Sequence, residues 1–290
     1  MNCSFVSAFA LLLLILPGCI STQKVPEPSA RSPREQAPDY LAAVCGEQSV
    51  GNRPEAGTSR FECSGCPLVA PASQVRAQAR YEHAWTGSFT RKGVEEAWVV
   101  MTGCEPHAFN YGGAYLVRKE AGSWKRISYR QGWVPHQCLK FSTGDARQTE
   151  GLVCEFEWSG QGQKIQSLSA ETFGPAGPKS RVLLKYGDNL GASFYPQGTI
   201  FAIERKAWSL LVPSTPPGAK SNPRLEVAFG LREATLSPDE TDDEILKPAG
   251  RLGASRELKL AWTWRRNGFK LESSSRKAAL QVARLVKSRE

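Results

Sequence analysis

The chain contains 290 residues with a formal net charge of +9, and 41% of its residues are hydrophobic. This size and apolar content exclude a chain too small to bury a core, and they allow one large or two small domains. The basic residues are dispersed rather than gathered in one dense run. A mildly basic soluble surface is therefore favoured over a polyanion-binding patch, and we expect no nucleic-acid partner.

Residues 1–18 are typical of an export signal. An apolar block from Phe9 to Leu16 is long enough for the core of a signal peptide and too short to span a bilayer. The following Pro17-Gly18-Cys19 completes a segment that resembles the lipobox of bacterial lipoproteins. The resemblance implies cleavage after Gly18 and a Cys19 that carries acyl chains such as palmitate as a membrane anchor. The alternative is an ordinary secretory signal in which this cysteine occurs by chance.

Residues 19–39 are predicted to form the lipidated N-terminus and an extended tether. Pro, Ser, Ala and charged residues dominate from Ser21 to Asp39, which leaves almost nothing to bury. The absence of Asp directly after Cys19 favours the outer over the inner membrane, by the same resemblance. We therefore expect an outer-membrane lipoprotein of the bacterial cell envelope that faces the periplasm or the cell surface.

Six of the eight cysteines lie in the body of the chain, and an even number argues for disulfides in an exported protein. Cys138 and Cys154 flank the turn-rich segment 143–151, and a hairpin centred near Ala146 places them opposite each other on neighbouring strands. We predict a bridge between these two. The other four are expected to brace the N-terminal part of the body, in an order that the sequence leaves open: Cys45, Cys63, Cys66 and Cys104.

The body, residues 40–272, has the pattern of one all-β domain. Its start is irregular, with a helical turn predicted at 39–44, a polar loop at 46–65 and either a short helix or the first strand at 74–82. From Ala84 onward, β-branched and aromatic residues recur in short runs bounded by Gly, Asn, Asp and Pro. The predicted strands are 96–102, 114–119, 124–130, 137–142, 152–157, 165–170, 181–186, 199–204, 208–212, 224–230, 258–265 and 269–272.

Repeated antiparallel units are suggested by two hairpins with a similar order of apolar strand, glycine turn and aromatic-Lys strand, at 114–125 and 260–270. The segment 87–100 looks like the opening of an FG-GAP or VCBS propeller blade. The matching positions are Gly87, Phe89, Gly93 and Glu95. The resemblance implies a partial or degenerate β-propeller, with a β-sandwich as the alternative. No calcium is expected, because the usual acidic ligand positions hold Ser88, Thr90 and Lys92.

Three loops and a terminal helix complete the predicted elements. Segments 173–178 and 213–223 are rich in Pro and Gly, and 237–244 is acidic, so all three are predicted as surface loops. In the C-terminal segment 273–290, three serines resemble an N-cap run before an amphipathic helix at 276–288.

No catalytic or metal site is supported by a local motif. Cys63-Ser64-Gly65-Cys66 has the spacing of a redox CxxC, but no βαβ context accompanies it, so structural bridging is favoured. The acidic loop lacks the alternating order of a calcium loop, and no nucleophile or phosphate-loop motif is present. Zinc is also disfavoured, because the spacing of the histidines matches no compact ligand pair: His83, His107 and His136. We predict no cofactor, metal or catalytic residue.

The favoured function is a non-enzymatic binding or structural module for a protein or an envelope polymer, held at the membrane by its lipid. The competing function is a periplasmic enzyme that acts on cell-wall or glycan material. A cluster of His, Asp and Glu in one deep pocket favours the enzyme, whereas a flat, aromatic, basic face favours binding. The eight tryptophans of the chain are expected to be mainly buried.

Overall fold

The computed structural model describes most of the body of the chain. The described residues are 20–23, 38–46, 50–55, 58–64, 79–103, 112–144, 149–160, 163–174, 177–191, 199–213, 222–235, 248–265 and 268–287. They form fifteen β-strands, two α-helices and two 3₁₀ turns. Within these ranges, no helix combines the length and the apolar character needed to cross a membrane.

The strands run in chain order as β1 (Ile20–Gln23), β2 (Val50–Glu55), β3 (Thr58–Cys63), β4 (Ala79–Gly87), β5 (Glu96–Thr102), β6 (Gly113–Glu120), β7 (Ser123–Gln131), β8 (Gln137–Ser142), β9 (Glu150–Gly160), β10 (Gln163–Gly174), β11 (Gly177–Asp188), β12 (Thr199–Pro213), β13 (Arg224–Thr235), β14 (Arg256–Arg265) and β15 (Gly268–Leu271). The helices are α1 (Tyr40–Cys45) and α2 (Arg276–Lys287), and the 3₁₀ turns are Pro248–Arg251 and Ser273–Ser275.

Strands β2 to β7 form a six-stranded antiparallel sheet in which each strand pairs with its neighbours in sequence. Every residue of β5 is buried, because both faces of the sheet are covered. One face packs against α1, where Leu41 and Val44 join a core cluster with Val99 and Tyr115. The other face packs against the second sheet.

The second sheet has nine strands in the order β15-β14-β13-β12-β11-β10-β9-β8, with β1 added along β12. Strands β11 and β12 pair only at Asp188 and Ala202, so the sheet splits along this seam. At the far end of β12, Ile20 of β1 lies opposite Pro213. The first four residues after Cys19 are thus a strand of the body, whereas residues 24–37 of the predicted tether lie outside the described residues.

This second sheet curls into a half-barrel around the largest core cluster. Curling brings Phe141 of β8 against Trp264 of β14, with ring centroids 4.8 Å apart. Helix α2 inserts Val282 and Val286 into the same cluster and contacts β11 and β14. The alternating apolar positions of the strands therefore point into one shared interior.

The two sheets are joined by a core of their own. Trp98 of β5 packs on Phe173 of β10, with ring centroids 5.2 Å apart, and Leu152 of β9 lies in the same cluster. An ion pair crosses the same junction, where Arg130 of β7 donates to Glu171 of β10 at 2.9 Å. Both apolar and ionic contacts therefore connect the sheets.

The predicted all-β class with antiparallel pairing and a short C-terminal helix is confirmed. A propeller is not confirmed, since the described strands lie in sheets of six and nine rather than in four-stranded blades. The helical turn at 39–44 and the strands at 96–102 and 137–142 lie within a residue or two of their predicted positions.

Three local predictions were wrong. The segment 46–65, predicted as a polar loop, contains β2 and β3. These strands have little apolar pattern, and they form because β3 pairs with β4 and β2 pairs with β3. The loop at 173–178 is instead the end of β10 and the start of β11, because Phe173 is buried between the sheets. The strands at 199–204 and 208–212 are one strand, β12, interrupted by a β-bulge. The acidic loop at 237–244 and most of the loop at 213–223 lie outside the described residues.

Two disulfides lie among the residues that the structure describes. Cys138 and Cys154, the pair expected from hairpin spacing, occupy opposite positions of β8 and β9 and are bonded with Cα atoms 4.1 Å apart. Cys45 is bonded to Cys63, which ties the end of α1 to β3 with a Cα separation of 5.3 Å. Cys63 is therefore not bonded to Cys66 of the CxxC segment. The remaining predicted site cysteines, Cys19, Cys66 and Cys104, lie outside the described residues.

We expect a third disulfide between Cys66 and Cys104. They are the two body cysteines left after these pairings. Cys66 follows β3 and Cys104 follows β5, and these two strands end at the same end of the sheet because both run antiparallel to β4. Peptide mapping without reduction should recover Cys66 linked to Cys104. Free thiols at both positions, or a peptide in which Cys66 is linked to Cys63, would contradict this pairing.

Candidate functional site

A buried ionic cluster lies inside the half-barrel. Arg205 of β12 donates from Nε and Nη2 to the two carboxylate oxygens of Glu155 on β9, at 3.0 and 2.7 Å. Tyr186 of β11 donates its hydroxyl to the same carboxylate. Arg205 also donates to Gln137 Oε1 at 2.9 Å and stacks over the ring of Trp208, 4.7 Å from its centroid. Side chains from four strands, β8, β9, β11 and β12, therefore meet in one cluster.

The bulge in β12 explains how Arg205 reaches this position. The register shifts between Arg205 and Ala207, so Lys206 is an extra residue that breaks the alternation of side chains. As a result, Arg205 and Trp208 share the inner face although they are three positions apart, while Lys206 contacts the exposed Glu204 at 2.8 Å. A sequence pattern of period two does not reveal this switch.

The cluster holds Glu155 as a carboxylate. Burial alone raises its pKa, but hydrogen bonds from Arg205 and Tyr186, together with the charge of Arg205, outweigh that effect and lower the pKa below its usual value. Burial and the neighbouring Glu155 raise the pKa of Tyr186, which keeps its hydroxyl protonated as a donor. Each of these groups is hydrogen-bonded to another member, so the cluster holds no base or nucleophile that is free to react.

Two further buried carboxylates are neutralised in the same way. Glu96 accepts hydrogen bonds from Arg118 at 2.9 Å and from Thr90, and it has no exposed surface. Glu171 accepts from Arg130 and from Ser180, which donates at 2.6 Å. These three pairs brace the structure rather than form a reactive centre.

Only some of the residues considered for zinc or redox chemistry lie in the part of the chain that the structure describes. His83 packs edge-on against Trp85 with ring centroids 4.4 Å apart, His136 follows β7, and His107 lies outside the described residues. In the part of the chain that the structure describes, no group of three or more His, Cys, Asp or Glu residues could hold a metal ion.

The tryptophans mainly fill the core. Trp98 and Trp133 pack between the sheets with ring centroids 5.2 Å apart. Their indole N–H groups, like that of Trp208, are buried and have no hydrogen-bond partner among the described residues. Trp158 is 44% exposed and is the one large aromatic residue classed as exposed among the described residues. A flat aromatic face is therefore not formed by these residues.

A different surface is marked by α2. Its inner side inserts Val282 and Val286 into the core, while Leu280 on its outer side is 61% exposed. The helix contains no acidic residue. Four exposed cations flank Leu280 on this outer side of the helix: Arg276, Lys277, Arg284 and Lys287.

Two more exposed cations, Arg265 and Lys270, lie on the β14–β15 hairpin that leads into this helix. We call the six residues together the C-terminal basic face: Arg265, Lys270, Arg276, Lys277, Arg284 and Lys287. Within the described ranges, none of the six has a carboxylate at salt-bridge distance, whereas the nearby Arg224 is paired with Glu272 at 2.7 Å and with Glu226. The face therefore carries an uncompensated positive charge at neutral pH.

Sequence reasoning did not assemble this face. The signal available was the absence of Asp and Glu between 273 and 289, next to a hairpin with a basic turn. The amphipathic helix was predicted, and the structure adds that its apolar side enters the interior of the curled sheet. Comparison with known proteins adds no relative, since no family model, no curated protein and no solved structure matches the chain.

The buried ionic cluster predicts a specific stability pattern. Arg205→Met leaves Glu155 buried without its main partner, and we expect urea unfolding to show a loss of about 3–5 kcal/mol. The matched control is Arg232→Met, which removes a pair with the exposed Glu204 and should cost less than about 1 kcal/mol. Equal losses in the two variants would contradict a special role for the buried pair.

The same cluster predicts an acid-dependent loss of stability. Because folding lowers the pKa of Glu155, its contribution is present above the unfolded pKa of about 4.3 and is lost as the pH falls through the lower folded pKa. Glu155→Gln should be less stable at pH 7 and should lose less stability on acidification than the parent chain. Unfolding curves at pH 7 and at several lower pH values test this, and parallel losses in both proteins would argue against it.

Proposed function

We propose that the chain is an envelope-anchored, non-enzymatic binding module whose C-terminal basic face docks on the anionic membrane surface that holds its lipid. The observation that carries this proposal is a set of six exposed cations on α2 and on the hairpin that leads into it. None of them has a carboxylate at salt-bridge distance among the described residues, and the four on α2 flank the exposed Leu280. The rest of the body then remains available to a protein or an envelope polymer.

Electrostatics and lipid anchoring support the same arrangement. A cation close to an anionic membrane surface contributes about 1 kcal/mol, and this attraction decays over a Debye length of about 10 Å at 0.1 M salt. The basic face would orient the body on the membrane rather than supply the anchor, since a thiol with two acyl chains already anchors a protein stably. Leu280 adds an apolar contact in the middle of the cations.

The position of β1 is consistent with a body held near the membrane. In the proposed lipoprotein, the acylated residue is Cys19, directly before β1, and β1 is paired with β12 from Ile20 to Gln23. An anchor at Cys19 would therefore hold the β1–β12 pair of the body close to the lipid, because no long tether separates Cys19 from β1.

An enzyme acting on cell-wall or glycan material is the less supported function. Such chemistry needs a carboxylate or imidazole that is free to exchange a proton with substrate. The buried carboxylates of the described residues are instead bonded to arginines, as in Glu155 with Arg205. The propeller-blade resemblance of 87–100 remains a proposal about fold ancestry and has no part in the binding argument.

The anchor is tested by Cys19→Ser. We expect this variant to move from the membrane fraction to the soluble fraction when the membranes are washed at high salt, because the acylated thiol is removed and salt screens the attraction of the basic face. Cys3→Ser, within the predicted signal, is the matched control and should stay with the membrane. Unchanged fractionation of Cys19→Ser would remove the lipoprotein proposal.

The basic face is tested with the soluble Cys19→Ser chain and lipid vesicles. We expect sedimentation with phosphatidylglycerol vesicles but not with phosphatidylcholine vesicles, and release at high salt. Adding Arg284→Gln and Lys287→Gln should weaken binding on the order of tenfold. The control pair, Arg91→Gln and Lys92→Gln, removes two exposed cations from the turn before β5 and should bind like the parent. Similar weakening by both pairs would show that only net charge matters.

A further inference from the structure

A surface pocket of about 390 Å³ lies within the C-terminal basic face. It is formed where β14, β15 and the Ser273–Ser275 turn meet, directly before α2. The polar side chains that line it are Thr263, Arg265, Lys270, Glu272, Ser273 and Ser274. The pocket therefore combines cations and hydroxyl groups with one carboxylate.

The carboxylate in this pocket, that of Glu272, already accepts hydrogen bonds from neighbouring side chains. Arg224 donates to both oxygens of Glu272, at 2.7 and 3.0 Å, and Thr263 donates to one of them at 2.7 Å. The hydrogen bond from Arg224 is the main cause that lowers the pKa of Glu272, followed by that from Thr263. Glu272 is thus an ionised group whose carboxylate accepts from Arg224 and Thr263, and the charge of Arg265 also lowers its pKa. Neither Arg265 nor Lys270 has a carboxylate at salt-bridge distance among the described residues.

The serine hydroxyl groups of this turn also differ in whether they have a hydrogen-bond partner. Ser275 is buried, and its Oγ accepts a hydrogen bond from the backbone N–H of Ala261 at 2.8 Å. Ser273 and Ser274 are exposed in the pocket, and their hydroxyls have no partner among the described residues. Two cations and two hydroxyl donors therefore line one concave surface, which is the donor set that phosphate oxygens accept.

We propose that this pocket binds a phosphate group, with Arg265 and Lys270 as its charged ligands and Ser273 and Ser274 as hydroxyl donors. The proposal rests on the proposed function, because the pocket is part of the face that docks on the membrane. It adds a defined site to a surface that otherwise acts through its net charge. In this proposal, the phosphate belongs to a phospholipid headgroup.

The register of the sheet supports a lipid source. One row of paired residues runs from Thr22 of β1 through Leu211, Arg224 and Thr263 to Lys270 of β15. Four strand spacings of about 4.8 Å separate its ends, so Lys270 lies about 19 Å from the strand that follows Cys19. The pocket is therefore at the same end of the sheet as the proposed anchor, within reach of headgroups of the same leaflet.

The test uses the ¹⁵N-labelled full chain carrying Cys19→Ser, titrated at constant ionic strength with inorganic phosphate and, separately, with dihexanoyl phosphatidylglycerol below its micelle concentration. We expect saturable shifts of the backbone amides of Lys270, Ser273 and Ser274 with both probes. Arg265→Gln with Lys270→Gln should weaken both titrations at least tenfold, and Ser273→Ala with Ser274→Ala should weaken them less. Dispersed spectra of all variants establish that they are folded.

The controls separate this proposal from the general one. Arg284→Gln with Lys287→Gln, outside the pocket, should weaken vesicle binding but leave the phosphate titration unchanged. Absence of saturable shifts with either probe would overturn the pocket while the vesicle result could still stand. Shifts with inorganic phosphate but none with phosphatidylglycerol would overturn the headgroup as its source.

Discussion

One carboxylate on β9 and one guanidinium on β12 connect the two halves of the curled sheet across its interior. Glu155 and Arg205 meet where strands β11 and β12 have almost no backbone pairing, since their register consists of Asp188 opposite Ala202. Side chains therefore supply the connection that the backbone ladder lacks at this seam. An ion pair so deeply buried is tolerated because Tyr186 also donates to the carboxylate and Gln137 also accepts from the guanidinium.

This arrangement determines which parts of the molecule can act on others. The buried carboxylates are bonded to arginines, and Trp98 and Trp133 fill the junction between the sheets. The uncompensated groups lie outside, on α2 and the β14–β15 hairpin. Recognition by surface charge follows more readily from this distribution than chemistry in a protected pocket, because a buried catalytic group must retain at least one free bonding position.

The sequence predicted most strands of the half-barrel well, because their apolar residues alternate and their turns contain glycine, as in β8 and β14. It failed where strand formation depended on a neighbour. Strands β2 and β3 have little apolar pattern, and β10 and β11 continue through a Pro- and Gly-rich segment because Phe173 is held between two sheets. A propeller was inferred from a local turn motif, but local hairpins do not specify how many strands join one sheet.

The amino-acid sequence by itself determined the all-β class, the C-terminal helix and the hairpin that places Cys138 opposite Cys154. These features depend on contacts between residues close in the chain, which leave a periodic signal in composition and spacing. Only the tertiary structure decided the partner of Cys45, the inward position of Arg205 and the pocket in which Arg265 and Lys270 meet Ser273 and Ser274. Those features depend on a bulge, on sheet curvature and on contacts between distant segments, for which no local pattern exists.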